Sequence, residues 1–157
     1  MPSALTTLNL AYAQFYDTRP VMTAYQTTEQ TFTTSTVTMV NWQAVDVDTT
    51  SGFNLTTNTY TISVPGWYRV IAKVQWHGAA NGVRFAQIRQ NGVASSILIA
   101  NRSPSTGVVT SSVDGLIRCV LNDTIQVWAD QTSGASLNTI VTAGIYNSSW
   151  TMFWVGR

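Results

Sequence analysis

The segment from Thr59 to Trp76 places the strongest limit on the fold of this chain. Two stretches of alternating side chains flank the pair Pro65-Gly66, and alternation with a period of two is typical of β-strands. The segment therefore predicts strands over Tyr60–Val64 and Trp67–Trp76. The Pro-Gly pair predicts a turn that joins them as a hairpin.

The two faces of the second strand differ in character. One face is apolar and is predicted to lie in the core: Tyr68, Val70, Ala72, Val74 and Trp76. The other face places Trp67 and Ile71 among Arg69, Lys73 and Gln75. A sheet face that met only water would seldom carry Trp and Ile. We therefore predict that a partner subunit covers part of this face.

The composition indicates a single domain with few charges. The chain has 157 residues, of which 45% are hydrophobic and 11% aromatic, which is enough for a sizeable core. Charged residues make up 10% and the net charge is +1, against about 25% charged residues in ordinary domains. There is no run of Lys or Arg, so nucleic acid and anionic membranes are disfavoured as partners. No apolar run approaches the length of about 20 residues that spans a bilayer.

The single cysteine and the N-terminus predict the compartment. Cys119 is the only cysteine and lies in the apolar run Leu116–Leu121, so it is predicted to be a small buried hydrophobe. The first residues lack a basic start followed by an apolar stretch, as a secretory leader would have. We expect the chain to fold in a cytoplasm.

Residues 1–20 are predicted to be an N-terminal arm, and residues 21–157 a single folded domain. The arm carries apolar residues that are too numerous for a free tail: Leu5, Leu8, Leu10, Tyr12 and Phe15. A short helix and an extended arm both fit their spacing. We expect the arm to dock on another protein.

The rest of the chain predicts strands and turns alone. The candidate strands are Val21–Gln26, Thr36–Val45, Tyr60–Val64, Trp67–Trp76, Val83–Gln90, Ser96–Ile99, Val108–Leu121, Ile125–Ala129, Val141–Tyr146 and Trp150–Val155. Turn signals such as Asn81-Gly82, Asn91-Gly92 and Asn122-Asp123 separate them. About ten short strands predict an all-β fold, an antiparallel two-sheet jelly-roll sandwich.

Several short motifs, in this order and spacing, resemble a known family. They are Tyr60-Thr-Ile62, Gly66-Trp-Tyr68, Arg84 through Gly92, and Gly115 through Val127. The chain resembles the trimeric jelly-roll superfamily of the complement globular head and tumour necrosis factor, especially its form in bacteriophage structural proteins. The resemblance implies a ten-strand jelly roll assembled as a threefold homotrimer. It implies neither an enzyme nor a particular ligand.

The strand Trp150–Val155 supports a trimer independently of the resemblance, because large apolar residues lie on both of its faces. We predict a trimer interface that contains Trp67, Ile71, Trp128, Phe153 and Trp154, since aromatic residues are enriched at interfaces. The alternative is a larger core within one chain, with the arm covering that sheet.

We find no set of residues that predicts catalysis, a metal or a cofactor. His77 is the only histidine, so zinc could be held only by three copies meeting on a trimer axis. Asp46 and Asp48 share a predicted strand face and could help to bind Ca²⁺, but too few further oxygen ligands are visible. The plainer interpretation of His77 is an ordinary strand-end histidine, and that of the two aspartates is a solvated strand end or an ion-pair surface near an arginine.

Two further sets of residues leave alternatives open. Trp42 is either a core residue or an exposed platform for a sugar. Arg84, Arg89 and Arg102 are either solvated strand ends or polar pairs at a rim or an axis.

Taken together, these features favour a virion structural protein of a bacteriophage. We expect a homotrimeric capsid decoration (cement) protein on the virion surface, assembled in the host cytoplasm. Its arm would bind the major capsid protein or another virion protein. The alternative is a receptor-binding or fibre-tip module that recognises a host surface glycan.

Overall fold

The computed structural model describes residues 19–79, 81–94, 97–104, 107–145 and 147–157, with residues 97–104 described by their backbone. This part of the chain is all-β and contains no α-helix. Its strands are β1 Val21–Tyr25, β2 Thr31–Phe32, β3 Thr38–Met39, β4 Ala44–Asp48, β5 Phe53–Asn54, β6 Thr59–Thr61, β7 Gly66–Trp76, β8 Val83–Gln90, β9 Ile97–Pro104, β10 Val109–Cys119, β11 Thr124–Gln131, β12 Leu137–Asn138 and β13 Ser149–Gly156. The arm residues Leu5, Leu8, Leu10, Tyr12 and Phe15 lie outside the described residues.

The strands form two antiparallel sheets that pack face to face. The five-stranded sheet has the order β10-β7-β13-β1-β4, and the other has the order β5-β6-β11-β8-β9, with β3 pairing β11. A short third sheet pairs β2 with β12. The prediction of an all-β, two-sheet antiparallel sandwich is confirmed.

The core lies between the sheets and is built from alternate residues of each strand. The predicted inner face of β7, from Tyr68 to Trp76, has no exposed surface. Large aromatic side chains pack in pairs within and against the core. Phe32 packs edge-on against Trp76 with ring centroids 4.9 Å apart, and Phe53 packs edge-on against Trp150 at 5.5 Å. Pairs of this geometry add to the stabilisation from burial alone.

The predicted hairpin at Pro65-Gly66 is wrong. Strand β6 lies in the six-stranded sheet, whereas β7 lies in the five-stranded sheet, so the turn carries the chain across the core. The predicted strand Thr36–Val45 is also wrong as a unit, because β3 pairs β11 while β4 pairs β1 in the opposite sheet. Residues 141–145 form a turn with one isolated bridge between Thr142 and Ile145 rather than a strand.

Gly66 is required where β7 begins. Its backbone φ is 151°, which disfavours residues with a Cβ atom. A Cβ atom at this position would also collide with the indole nitrogen of Trp154 and the carbonyl of Gly156. The absence of a side chain therefore allows β7 and the end of β13 to approach closely.

Hydrogen bonds to Asp123 link the turn between β10 and β11 to the end of β8. Its carboxylate accepts hydrogen bonds from the backbone N–H of Val120 at 2.8 Å, from Asn91 at 3.0 Å and from Gln90. Burial raises the pKa of Asp123, but these hydrogen bonds outweigh burial, and the net pKa lies below its ordinary value. The ionised form is therefore the one that the fold stabilises.

We predict that Gly66→Ala lowers the free energy of unfolding by about 2 to 4 kcal/mol, because it adds both backbone strain and a steric clash. Gly134 is a matched control, since its φ is 91° but a Cβ atom there would meet open space. Gly134→Ala should cost only about 1 kcal/mol. Urea denaturation of both variants measures the difference, and equal losses would contradict the role of close packing at Gly66.

We predict that Asp123→Asn lowers the free energy of unfolding by about 1 to 3 kcal/mol at neutral pH, because buried N–H donors lose their acceptor. The contribution of Asp123 is complete above the ordinary pKa of 3.8 and is lost as the pH falls through the lower pKa of the folded state. The difference between the unmodified protein and the variant should therefore shrink below about pH 4. Denaturation at a series of pH values tests this, with the exposed Asp46→Asn as a control that should change little.

Candidate interaction surface

The outward side of the five-stranded sheet, which we call the outer face, carries apolar side chains interspersed with polar ones. The register aligns Val21 with Phe153, Phe153 with Arg69, and Arg69 with Leu116 across four strands. The adjacent row crosses all five strands and consists of Val47, Thr23, Thr151, Ile71 and Asp114, in that order. Leu116 is 58% exposed, and Val21, Ile71 and Phe153 are half-buried.

Two pairs of polar groups within the outer face are hydrogen-bonded to each other. Arg69 donates from Nε and Nη2 to the two carboxylate oxygens of Asp114, at 2.9 and 2.7 Å. This hydrogen bond lowers the pKa of Asp114 and raises the pKa of Arg69. The hydroxyls of Thr23 and Thr151 are also hydrogen-bonded, at 3.1 Å. The face can therefore enter an interface without burying these groups unpaired.

Three of the five predicted interface residues lie on the outer face. Trp67 is 42% exposed and lies at one end of β7, opposite Arg118 of β10 and Gly156 of β13. Ile71 and Phe153 lie nearer the middle of the sheet, in adjacent rows. These positions agree with the alternation in the sequence.

The other two residues lie elsewhere. Trp128 is on the outward side of the six-stranded sheet, where the Arg89 guanidinium lies 4.3 Å from its ring centroid and its Nε1 donates to Gln126 at 3.2 Å. Trp154 has the same orientation as Trp150 and Met152, packs against the core and donates from Nε1 to the Pro65 carbonyl at 3.3 Å. The structure therefore does not bring the five residues together.

Several members of the outer face were not predicted from the sequence, namely Val21, Val47, Leu116 and the Arg69–Asp114 pair. The signal for Leu116 was present, because Val113, Ile117 and Cys119 are buried while Leu116 lies between Asp114 and Arg118 in the outward alternation. Val21 is placed by its pairing with Phe153, and the position of Val47 depends on a register shift between β1 and β4. That shift leaves no clear mark in the sequence.

The open alternatives for Trp42 and the arginines are decided in part. Trp42 is 1% exposed and its ring centroid lies 6.4 Å from that of Trp150, so it is a core residue.

Arg84 and Arg89 are buried, and their interpretation as solvated strand ends is wrong. Burial lowers the pKa of both guanidinium groups, and Arg84 Nη1 donates to the Asn81 carbonyl at 3.2 Å. The Arg102 side chain lies outside the described residues.

The remaining chemistry-bearing residues have structural partners. His77 Nε2 lies 2.7 Å from Glu29 Oε1 at the exposed end of β7, and that hydrogen bond lowers the pKa of Glu29.

The Asp48 carboxylate accepts hydrogen bonds from the N–H groups of Thr50 and Phe53 at 3.3 and 2.8 Å. The register shift in β4 separates Asp48, opposite Met22, from Asp46, so the expectation of a shared strand face is wrong.

Cys119 is buried, as predicted. Burial raises the pKa of its thiol to about 12, with a smaller contribution from Asp123. Among the residues that the structure describes, no cluster of three or more His, Cys, Asp or Glu side chains could hold a metal ion.

Two depressions adjoin the outer face. One, of about 390 Å³, lies at the end of the sandwich beside Trp67 and is lined by Pro65, Gly66, Trp67, Arg118, Cys119, Val120 and Arg157. The other, of about 860 Å³, lies between the 141–145 turn and the side chains of Tyr25 and Lys73. Both are open to solvent.

Comparison with known proteins relates the chain to others by fold. No family model matches it, and no curated protein matches its sequence. Among solved structures, the globular domain of zebrafish complement 1qA protein is 11% identical, with a TM-score of 0.61 over 88% of this chain and 98% of that one. Murine APRIL at pH 8.0 is 15% identical, with a TM-score of 0.63 over 87% of this chain and 99% of that one.

These structures share a jelly-roll fold with this chain. At such low sequence identity the likeness concerns the fold alone. Within the described ranges, no helix is long and apolar enough to cross a membrane.

Proposed function

We propose that this chain is a non-catalytic structural protein that assembles as a homotrimer through the outer face of its five-stranded sheet. The observation that carries the proposal is the set of apolar residues Val21, Phe153, Ile71 and Leu116 on this face. The charges among them, Arg69 and Asp114, form an ion pair with each other. A monomer would leave these apolar residues in contact with water. Burial of apolar surface is the dominant favourable contribution to most protein association.

The threefold symmetry is supported by the resemblance to the trimeric jelly-roll superfamily and by the shared fold. The outer face joins β1, β7, β10 and β13, which are well separated in sequence, so it is fixed by the whole sandwich rather than by one loop. A rigid face of this kind presents the same surface in every copy, as closed symmetry requires.

Within this class we propose a capsid decoration protein of a bacteriophage virion, held on the virion surface by residues 1–18. Support comes from the sequence. Only 10% of the residues are charged, which suits dense packing against other proteins, and the arm carries the apolar residues Leu5, Leu8, Leu10, Tyr12 and Phe15. The major capsid protein or another virion protein would receive the arm.

A receptor-binding module for a host glycan is the second candidate. It is favoured by one specific observation, the half-exposed Trp67 that lines the smaller depression together with Arg118 and Arg157. The two candidates differ in what is lost when the protein is removed from particles. Loss of a decoration protein lowers the temperature at which capsids burst, whereas loss of a receptor-binding module abolishes host adsorption.

We predict that the unmodified protein has a solution mass three times the 17.2 kDa of one chain, and that Ile71→Arg converts it to a folded monomer. The substitution would bury an unpaired charge in the interface. Val93→Arg is the control, because Val93 is 51% exposed and lies in the turn that follows β8, away from the outer face. Light scattering measures the mass, and a monomeric unmodified protein would refute the proposal.

Ile71→Arg is a better test than a change at Trp154. Trp154 packs against the core and donates to Pro65, so its replacement would disturb the domain itself. Circular dichroism should show that the Ile71 variant keeps its β-structure.

We predict that deletion of residues 2–18 leaves a folded trimer but abolishes incorporation into virus particles. The deletion should keep Arg19 and Pro20, because their carbonyls accept hydrogen bonds from Thr49 Oγ1 at 2.7 Å and from the Trp154 N–H at 2.9 Å. Quantification of the protein in purified particles tests the docking role. Full occupancy by the truncated protein would exclude docking through the arm.

A further inference from the structure

The smaller depression lies where three strands meet at one end of the sandwich. Strand β7 begins there, and the ends of β10 and β13 flank it, so that Trp67 lies between Arg118 and Gly156. The floor is compact because Gly66 allows Trp154 and Gly156 to pack against the start of β7. Gly66, Trp67, Arg118 and Cys119 of the lining lie in paired strands, and Pro65, Val120 and Arg157 directly adjoin strand ends. The strand residues suit a preformed binding site.

The depression combines an aromatic platform with two guanidinium groups. Trp67 exposes 42% of its surface, whereas Trp42, Trp76 and Trp150 are buried. Arg118 and Arg157 are exposed, and neither forms an ion pair or a side-chain hydrogen bond with any part of the chain that the structure describes.

The arginines of this depression differ from the other cationic groups around it. Arg69 is neutralised by Asp114, and Arg89 stacks on Trp128. Asp123, in the turn after β10, is not available to Arg118, because its carboxylate is occupied by Val120, Asn91 and Gln90. The end of the sandwich therefore presents positive charge beside a half-exposed indole.

We propose that this depression binds an acidic saccharide, meaning a sugar ring that carries a carboxylate, sulfate or phosphate group. The apolar face of the ring would stack on Trp67, and the anionic group would accept hydrogen bonds from the forked donors of Arg118, with Arg157 contributing further positive charge. Guanidinium groups bind planar or tetrahedral anions through two parallel hydrogen bonds. A volume of about 390 Å³ lies within the usual range of small-molecule sites.

The lining favours a saccharide over a nucleotide of adenine or cytosine. The edges of these two bases are recognised through amide or carboxylate side chains, and the lining contains no Asn, Gln, Asp or Glu. The chain also has a net charge of only +1, which gives little attraction to a nucleic acid backbone.

This site rests on the second candidate function, whose ligand class it specifies, and it is independent of self-association, so the two can be tested separately. Trp67 lies at the rim of the outer face, and Arg118 and Arg157 lie at the end of the sandwich. Trimer formation relies on Ile71, Phe153 and Leu116, which lie one or more rows further along the sheet.

The test is binding of the full-length protein to an array of neutral saccharides printed beside their carboxylated, sulfated and phosphorylated counterparts. We expect retention of acidic saccharides alone, with affinity about tenfold lower in Arg118→Ala and in Trp67→Ala and weaker binding at higher salt. Lys73→Ala is the matched control, because it removes one positive charge from the same strand pair outside the depression. Its binding should equal that of the unmodified protein.

Light scattering on the same samples separates the two proposals. A trimer that retains no acidic saccharide, or an Arg118→Ala trimer that binds as tightly as the unmodified protein, would overturn the binding site and leave the assembly proposal intact. Preference for adenosine monophosphate over every saccharide, measured by calorimetry, would overturn the assignment of the ligand class. If Trp67→Ala alone fails to fold, Arg118→Ala decides the question.

Discussion

The hydrogen bonds and buried side chains of β7 are shared by distant parts of the chain. One edge of β7 pairs with β10 over eleven residues without a register shift, and the other edge pairs with β13. Its inner face, from Tyr68 to Trp76, is wholly buried. A slip of one residue would bring Arg69 and Lys73 into the core. The period of two in this strand therefore fixes the register of both neighbours and, through them, the composition of the outer face.

The fold class followed from the sequence because alternation is a local property. The range Val83–Gln90 was predicted as a strand and is one, and Trp67–Trp76 begins one residue late. Connections were predicted less well. A turn such as Pro65-Gly66 can join two strands of one sheet or two strands of different sheets. Which of these connections forms depends on the pairing of β7 with β13, which lies far along the sequence. The two-residue strands β2, β3, β5 and β12 are too short to show any period.

The interaction surface was predictable in part for the same reason. Alternation assigned Trp67 and Ile71 to an outward face, and the structure joins them there with Phe153. The same pattern occurs at Trp128, yet that residue faces outward on the opposite sheet, because alternation tells inside from outside but does not tell which sheet a strand joins. The pairing of Arg69 with Asp114 depends on cross-strand register. This is why the charge of Arg69, which made the face look mixed in the sequence, is neutralised in the fold.

Strand β13 occupies the centre of the five-stranded sheet, although it follows all its neighbours in the sequence. During synthesis, β1 with β4 and β7 with β10 can form as separate ribbons. The edges of β1 and β7 that β13 later covers stay unpaired until residues 149–156 leave the ribosome. Exposed edges of this kind invite pairing with other chains. Since β13 also supplies Phe153 to the outer face, the step that closes the sheet also completes the surface that we propose for self-association. On that proposal, a nascent chain can recruit partners through a finished face only after its own sheet is closed.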